Sequence, residues 1–413
     1  MTSSIRRLNR YNMLHQDTLN SIDWDQILEI DLHVCRSLPK KQLRSELNSA
    51  LNLLFFYETG IKNNAVNCEF LFFKSMPRDD YKDLFDTVFS CCKHSKFSLD
   101  FSPINSWRLK LSKLNTIRKL VKPLRKKLPR NLFKAIFILT KASHYVSVCE
   151  DILSCYSFKH LVVFADMQPI DNLLAQLSNN KAIPTSTLQH GLYIDYSRQP
   201  NINTVNYENS PAANFLSWGR ATGKLMKQWH PKKAVFICGK PTLNRPKATA
   251  SAAPAKYFTV LFDQNLLAEK NREMLSIAFE LTKELGILVN IRFHPRNNPR
   301  GYGLRKTTLI NQDPLVSRFV LAHTTSMIHE IMRLGVPVFK YDTDVPSIDV
   351  PSAMKFQTSN DIIEKLESLA IQSIDPEGFS LDHIEVIGDI SKERYSAFFD
   401  DMVEAKRDLP VDI

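Results

Sequence analysis

The 413-residue sequence predicts an α/β protein built from two doubly wound parallel sheets in tandem, preceded by a helical region. Three observations predict it. The chain is too long for one hydrophobic core, and two domains of roughly 180–220 residues are the natural division. From residue 135 onward, short and uniformly apolar runs alternate with amphipathic stretches, the texture of parallel strands covered by helices on both faces. The alternation comes in two series, with a seam near 210–216.

The elements follow in order. In residues 1–60, "IDWDQILEIDLHV" and "KKQLRSELNSALNLLFFYETG" carry apolar residues at helical spacing, with Gly60 as a C-cap. "CEFLFFKS" (68–75) reads as a buried strand. Then come the strand "LVVFAD" (161–166), the helix "IDNLLAQLSNNK" and the strand "IPTSTLQHG". "ANFLSWG" (213–219) and "AVFICGKP" (234–241) precede a Pro-, Ala- and Ser-rich loop at 241–256. The second series holds "YFTVLFDQN" (257–265), a helix closed by Gly286, "ILVNIRFHP" (287–295), "RFVLAHTTS" (318–326), the helix "MIHEIMRLG" closed by Gly335, and "VPVFKYD" (336–342). The expected division is 1–212, 213–390, and a C-terminal helix at 391–413 that packs back on the first domain.

Composition narrows the class. Met1-Thr-Ser-Ser-Ile-Arg-Arg is polar with no apolar run behind it, so a secretory leader is not expected, and no run of about 18 uncharged apolar residues occurs. The seven cysteines are scattered without a C-x-x-C pair, which reads as reduced cytosolic thiols rather than a metal site or disulfide framework. The expected location is cytoplasmic, peripheral at the inner membrane. The net charge of +11 equals that of one segment: residues 108–134 contain eleven Lys/Arg and no acid. Leucines, Ile117 and Val121 recur among these bases at three- and four-residue steps, interrupted by Pro123 and Pro129. A solvated helix face, an anionic membrane surface and nucleic acid all accept such a pattern. Interleaved aromatics and a nucleic-acid reader motif are missing, so an anionic membrane surface is the expected partner and nucleic acid is not.

Tandem doubly wound domains bind ligands at the carboxyl ends of their strands, so polar residues there carry the chemistry. Asp166 ends one strand. Gln189-His190-Gly191 ends the next. His294-Pro295 ends a third, flanked by Arg292 and Arg296, and the proline restricts the histidine backbone to extended conformations. Thr324-Thr325-Ser326 ends a fourth and opens a helix carrying Glu330. Hydroxyls and free backbone N–H groups there suit an anion, and a carboxylate one turn below suits ribose hydroxyls. Neither G-x-x-x-x-G-K-[ST] nor G-x-G-x-x-G occurs, so phosphate contacts fall to side chains and helix termini. Asp23/Asp25 and Asp342/Asp344 have Asp-x-Asp spacing but read as surface carboxylates, and no metal is expected.

The ordered set "LQHGLY", "LSWG", "ICGKP", "IRFHPR" and "TTSMIHEIMRLGVPV" resembles the two-Rossmann (GT-B) glycosyltransferases that build bacterial capsules and other surface polysaccharides. Relatives include sialyl- and Kdo-transferase-like enzymes and teichoic-acid-type polymerases. The resemblance covers roughly residues 160–340; the first 130 residues lie outside it. It implies a metal-independent transferase taking a sugar from a CMP- or other nucleotide-activated donor to a surface-polysaccharide or lipid-linked glycan acceptor. The first domain would face the acceptor and the second would bind the nucleotide sugar. His294, Thr325 and Ser326 would hold the donor phosphate, with Arg292, Arg296, Thr324, Gly219 and Lys240 beside it, and Glu330 would take the ribose. Sialyltransferases of this fold carry an acidic pair before a glycine as the base. That pair is absent here, leaving His190, Asp166 and Glu208 as candidates. Transfer of a polyol phosphate from a CDP-linked donor, and a non-catalytic binding protein of the same fold, are the alternatives.

Overall fold

A computed structural model places two six-stranded parallel sheets one after the other. It describes residues 14, 16–37, 39–58, 66–76, 79–101, 104–105, 113–193, 207–242, 256–294, 297, 299–345, 348, 350–368 and 376–404.

A short helical turn at Gln16–Asn20 precedes helices α1 (Trp24–Ser37) and α2 (Lys40–Phe56). Strand β1 (Val66–Lys74), α3 (Asp79–Cys91) and β2 (Lys96–Asp100) follow. Next come α4 (Lys113–Leu124), α5 (Leu132–Cys155), β3 (Tyr156–Val163), α6 (Pro169–Asn179) and β4 (Thr185–Leu188). Then β5 (Asn214–Ser217), α7 (Arg220–Trp229) and β6 (Ala234–Ile237) complete the first sheet, in the order β2-β1-β3-β4-β5-β6. The second sheet uses β7 (Tyr257–Leu261), α8 (Ala268–Leu285), β8 (Leu288–Arg292), β9 (Leu309–Ile310), β10 (Val320–Ala322), α9 (Met327–Met332), β11 (Val338–Tyr341) and β12 (Lys355–Phe356). Its order is β9-β8-β7-β10-β11-β12. Counted within the domain that is 3-2-1-4-5-6, the dinucleotide-fold order, with its switch point between β7 and β10. In the first sheet the switch lies between β1 and β3.

The strands are apolar on both sides because both faces are covered. In β1, Leu71 and Phe73 join the core under α1, α2, α5 and α6, while Phe70 and Phe72 point the other way. There they meet α3 and the C-terminal helix α11, which follows α10 (Ser359–Glu367) and spans Gly388–Glu404. Phe399 lies edge-on to Phe70 and Phe72 at 5.3 and 5.5 Å, so α11 packs on the first sheet.

The expected boundary at 212/213 shifts. β5 pairs with β4 (Thr187 opposite Phe215) and β6 with β5, so both strands belong to the first sheet. A long connection between neighbouring parallel strands does not end a sheet, and the first strand of the second sheet is β7. Gly60 and residues 108–112 of the basic segment lie outside the described residues. Helix α5 is long and apolar enough to cross a membrane by length and composition, and 61% of that stretch is buried inside the protein. All seven cysteines are free thiols, six of them buried, and burial pushes the Cys238 thiol to about 12.

Candidate functional site

The carboxyl edge of the second sheet gathers the expected donor residues. β7 lies between β8 and β10, with Leu261 opposite Arg292 and Val260 opposite Leu321. Asp263, His294 and Thr324 therefore leave the sheet at one edge. Asp263 links the loops around it. Its carbonyl accepts from Asn297 Nδ2 at 2.7 Å, and Asn297 N donates to the carbonyl of His294 at 2.8 Å. Its carboxylate accepts from Thr324 N at 3.2–3.3 Å and from His323 Nδ1 at 2.8 Å. Asp263 and His323 are buried. Thr343 Oγ1 already accepts from Val345 N, so its hydroxyl hydrogen is available to His323 Nε2 at 2.7 Å. His323 is thereby held by Asp263 on one ring nitrogen and by Thr343 on the other. Sequence analysis passed over both residues, although "LFD" and "LAH" are strand ends by the same criterion that selected Thr324.

Thr325 Oγ1 accepts from Met327 N at 3.3 Å, and Ser326 is the N-cap of α9. One turn on, Glu330 Oε1 lies 2.5 Å from Lys240 Nζ, which projects from the end of β6. The same ammonium sits 4.5 Å above the Trp218 ring at the end of β5. Glu330 and Lys240, both expected donor contacts, thus bridge the two domains. Arg292 and His294 are half-buried at the end of β8, and Arg296 lies outside the described residues.

At the carboxyl edge of the first sheet Asp166, Gly219 and Gln189 are engaged in contacts within the protein. Asp166 is buried, and its carboxylate accepts from Ser210 Oγ at 2.7–2.8 Å and Ala212 N at 2.9 Å, with Lys233 Nζ at 3.6 Å. A general base needs an oxygen open to substrate, so this carboxylate anchors the chain entering β5 instead. Gly219 is small for packing: a Cβ there would overlap the main chain of Asp382 and His383. That returning segment is stitched to the first domain by Glu385 N to Trp218 O at 3.0 Å and Lys240 N to Val386 O at 2.9 Å. Gln189 is also architectural. Its amide oxygen accepts from Trp218 N and Ser217 Oγ, and its nitrogen donates to Gly191 O and Thr222 Oγ1. That leaves His190, half-buried at the end of β4 among Tyr81, Phe164 and Tyr193 with ring centroids 5.6–5.8 Å away. Glu208 is exposed.

A further carboxyl sits at the switch point of this sheet. Asp171, on the first turn of α6, accepts from Ser75 just beyond β1, and burial pushes it up to about 7. Its Oδ2 is buried without a hydrogen-bond partner, as suits a carboxyl that keeps its proton. Among the described residues, no three metal-ligating side chains converge.

Two parallel, doubly wound sheets in tandem with a C-terminal helix returning to the first define the GT-B fold. The solved structures similar to this chain share it. A protein described as a UDP-N-acetylglucosamine 2-epimerase from Listeria monocytogenes aligns with a TM-score of 0.53 and 12% identity, over 82% of this chain and 98% of that one. A second UDP-N-acetylglucosamine 2-epimerase aligns at 0.51 and 12% identity, over 84% and 98%. The Methanocaldococcus jannaschii UDP-GlcNAc 2-epimerase, solved with UDP-GlcNAc and UDP, aligns at 0.50 and 11% identity, over 82% and 100%. No family model and no curated protein matches the chain.

Proposed function

We propose that the chain is a glycosyltransferase that takes a sugar from a nucleotide-activated donor to a surface-polysaccharide or lipid-linked glycan acceptor. The carrying observation is Asp263, which ties the His294 loop and the Thr324 turn into one rigid edge at the switch point of the second sheet. His294, Arg292 and the hydroxyls of Thr325 and Ser326 supply neutral and cationic donors for a phosphate on which negative charge grows as the sugar departs. Glu330 suits the ribose, and no metal is required. With Asp166 enclosed, His190 is the leading base on the acceptor side, and Glu208 follows. Binding of UDP and UDP-GlcNAc by the M. jannaschii protein agrees with a nucleotide-sugar donor.

A thermal-shift panel of CMP, CDP, UDP and GDP tests the donor half, since a ligand of the native state raises the midpoint. Incubation of the stabilising nucleotide's activated sugars with glycan acceptors tests the rest. A glycosidic product with released nucleotide is expected. A phosphodiester product would instead favour polyol-phosphate transfer, an altered sugar still on its nucleotide would favour epimerisation, and no turnover with any bound donor would favour a binding protein.

A further inference from the structure

Transfer chemistry leaves the basic segment unused. No acid occurs between Asp100 and Glu150, and in the described part nine Lys/Arg lie between Lys113 and Ile136. Helix α4 turns Thr116, Leu120 and Leu124 inward. Its opposite face presents Leu114, Arg118, Val121, Lys122 and Arg125, spaced along one side of the helix. Past the turn, Lys126 and Arg130 are exposed, and α5 begins with Leu132 and Ile136 on successive turns, also exposed.

The outward face is therefore not simply solvated. Four of the eleven exposed large hydrophobic residues among those described lie here, and Leu132, at 75%, is the most exposed of them. Scattered apolar residues need no explanation, but clustering among like charges does. Within the segment Lys127 pairs with Asp25, whereas Arg118, Lys122, Arg125, Lys126 and Arg130 project outward. Phosphate on nucleic acid would satisfy those charges but not Leu132, Ile136, Leu114 and Val121. A lipid headgroup layer satisfies both, with anionic phosphate at the rim and acyl chains just beneath.

We propose that the outer face of α4 and the first turns of α5 dock on an anionic phospholipid surface, with Leu132 and Ile136 entering the acyl boundary. The proposal stands independently of the transfer chemistry, so its test needs no donor or acceptor.

The test is co-sedimentation of the full chain with phosphatidylcholine vesicles and with vesicles of phosphatidylcholine and phosphatidylglycerol in equal parts, at low and high salt. Wild type should bind only the anionic vesicles, and salt should weaken binding. Arg118→Gln, Lys122→Gln, Arg125→Gln and Lys126→Gln together should lower partitioning at least about 100-fold, since each base near such a surface contributes roughly a fivefold factor. Leu132→Ser with Ile136→Ser should lower it roughly tenfold while leaving the thermal midpoint and net charge unchanged. Failure of wild type to bind anionic vesicles at low salt would overturn the proposal. So would a serine pair that binds them like wild type, or duplex DNA bound more tightly than vesicles and lost only in the glutamine variant.

Discussion

Lys240 Nζ and Glu330 Oε1 meet 2.5 Å apart across the two domains, and the same ammonium lies over Trp218. Both groups are largely shielded, with side chains 12% and 13% exposed. If Glu330 accepts from ribose hydroxyls, a nucleoside must compete with Lys240 for that carboxylate. Lys240→Met should then strengthen binding of an unphosphorylated nucleoside about two- to tenfold, and Glu330→Gln should weaken it by a similar factor. A 2′,3′-dideoxynucleoside should bind all three proteins alike. Calorimetric titration reads this directly, and equal effects on both nucleosides would assign the pair to domain packing alone.

His294→Ala should cost roughly 10²–10³ in turnover by removing a donor at the leaving phosphate. Its half-buried position at the end of β8 predicts little change in the unfolding midpoint. Unaltered turnover would remove His294 from the phosphate site.

His190→Ala should lower transfer by roughly 10²–10⁴, the usual contribution of a general base, with nucleotide affinity intact. His190→Gln keeps a hydrogen-bonding group that cannot accept the proton, and should be equally inactive. An active glutamine variant would make His190 a binding residue and move attention to Glu208.

Asp166→Ala should act on folding. It strips acceptors from Ser210 and Ala212 and leaves Lys233 buried without its counter-charge, at a cost of about 3–5 kcal/mol. Thermal unfolding should show a lower first transition. A variant as stable as wild type yet inactive would restore Asp166 as the base.

Asp171 predicts a pH dependence of known sign. Its carboxyl is raised by burial from 3.8 to about 7, so the folded state holds a proton that the unfolded state releases. The stability from this group is fully present below about pH 4 and is lost as pH rises toward 7. Asp171→Asn does not titrate. Its stability relative to wild type should climb between those values and level off above them, as chemical denaturation across pH would read. Parallel profiles would show that Asp171 titrates normally.

The sequence by itself determined the class of fold and where its polar strand ends lie. Both signals are local: apolar runs such as "CEFLFFK" report strands covered on two faces, and a histidine or threonine following such a run marks the strand's carboxyl end. It also isolated the basic segment, since charge needs no coordinates. Tertiary structure decided what those residues touch. Asp166 and His190 look alike as strand ends, yet one carboxylate is enclosed by Ser210, Ala212 and Lys233, which come from later in the chain, and the imidazole is half-exposed among aromatic rings. Gly219 reads as a ligand-facing glycine until residues 382–383 are found pressed against it. Asp263 and His323 stand 60 residues apart, and β5 belongs to the first sheet only because Thr187 finds Phe215 beyond a long connection. Such choices rest on hydrogen bonds and packing between distant segments, whose geometry appears only once the chain has closed its loops and both sheets have formed.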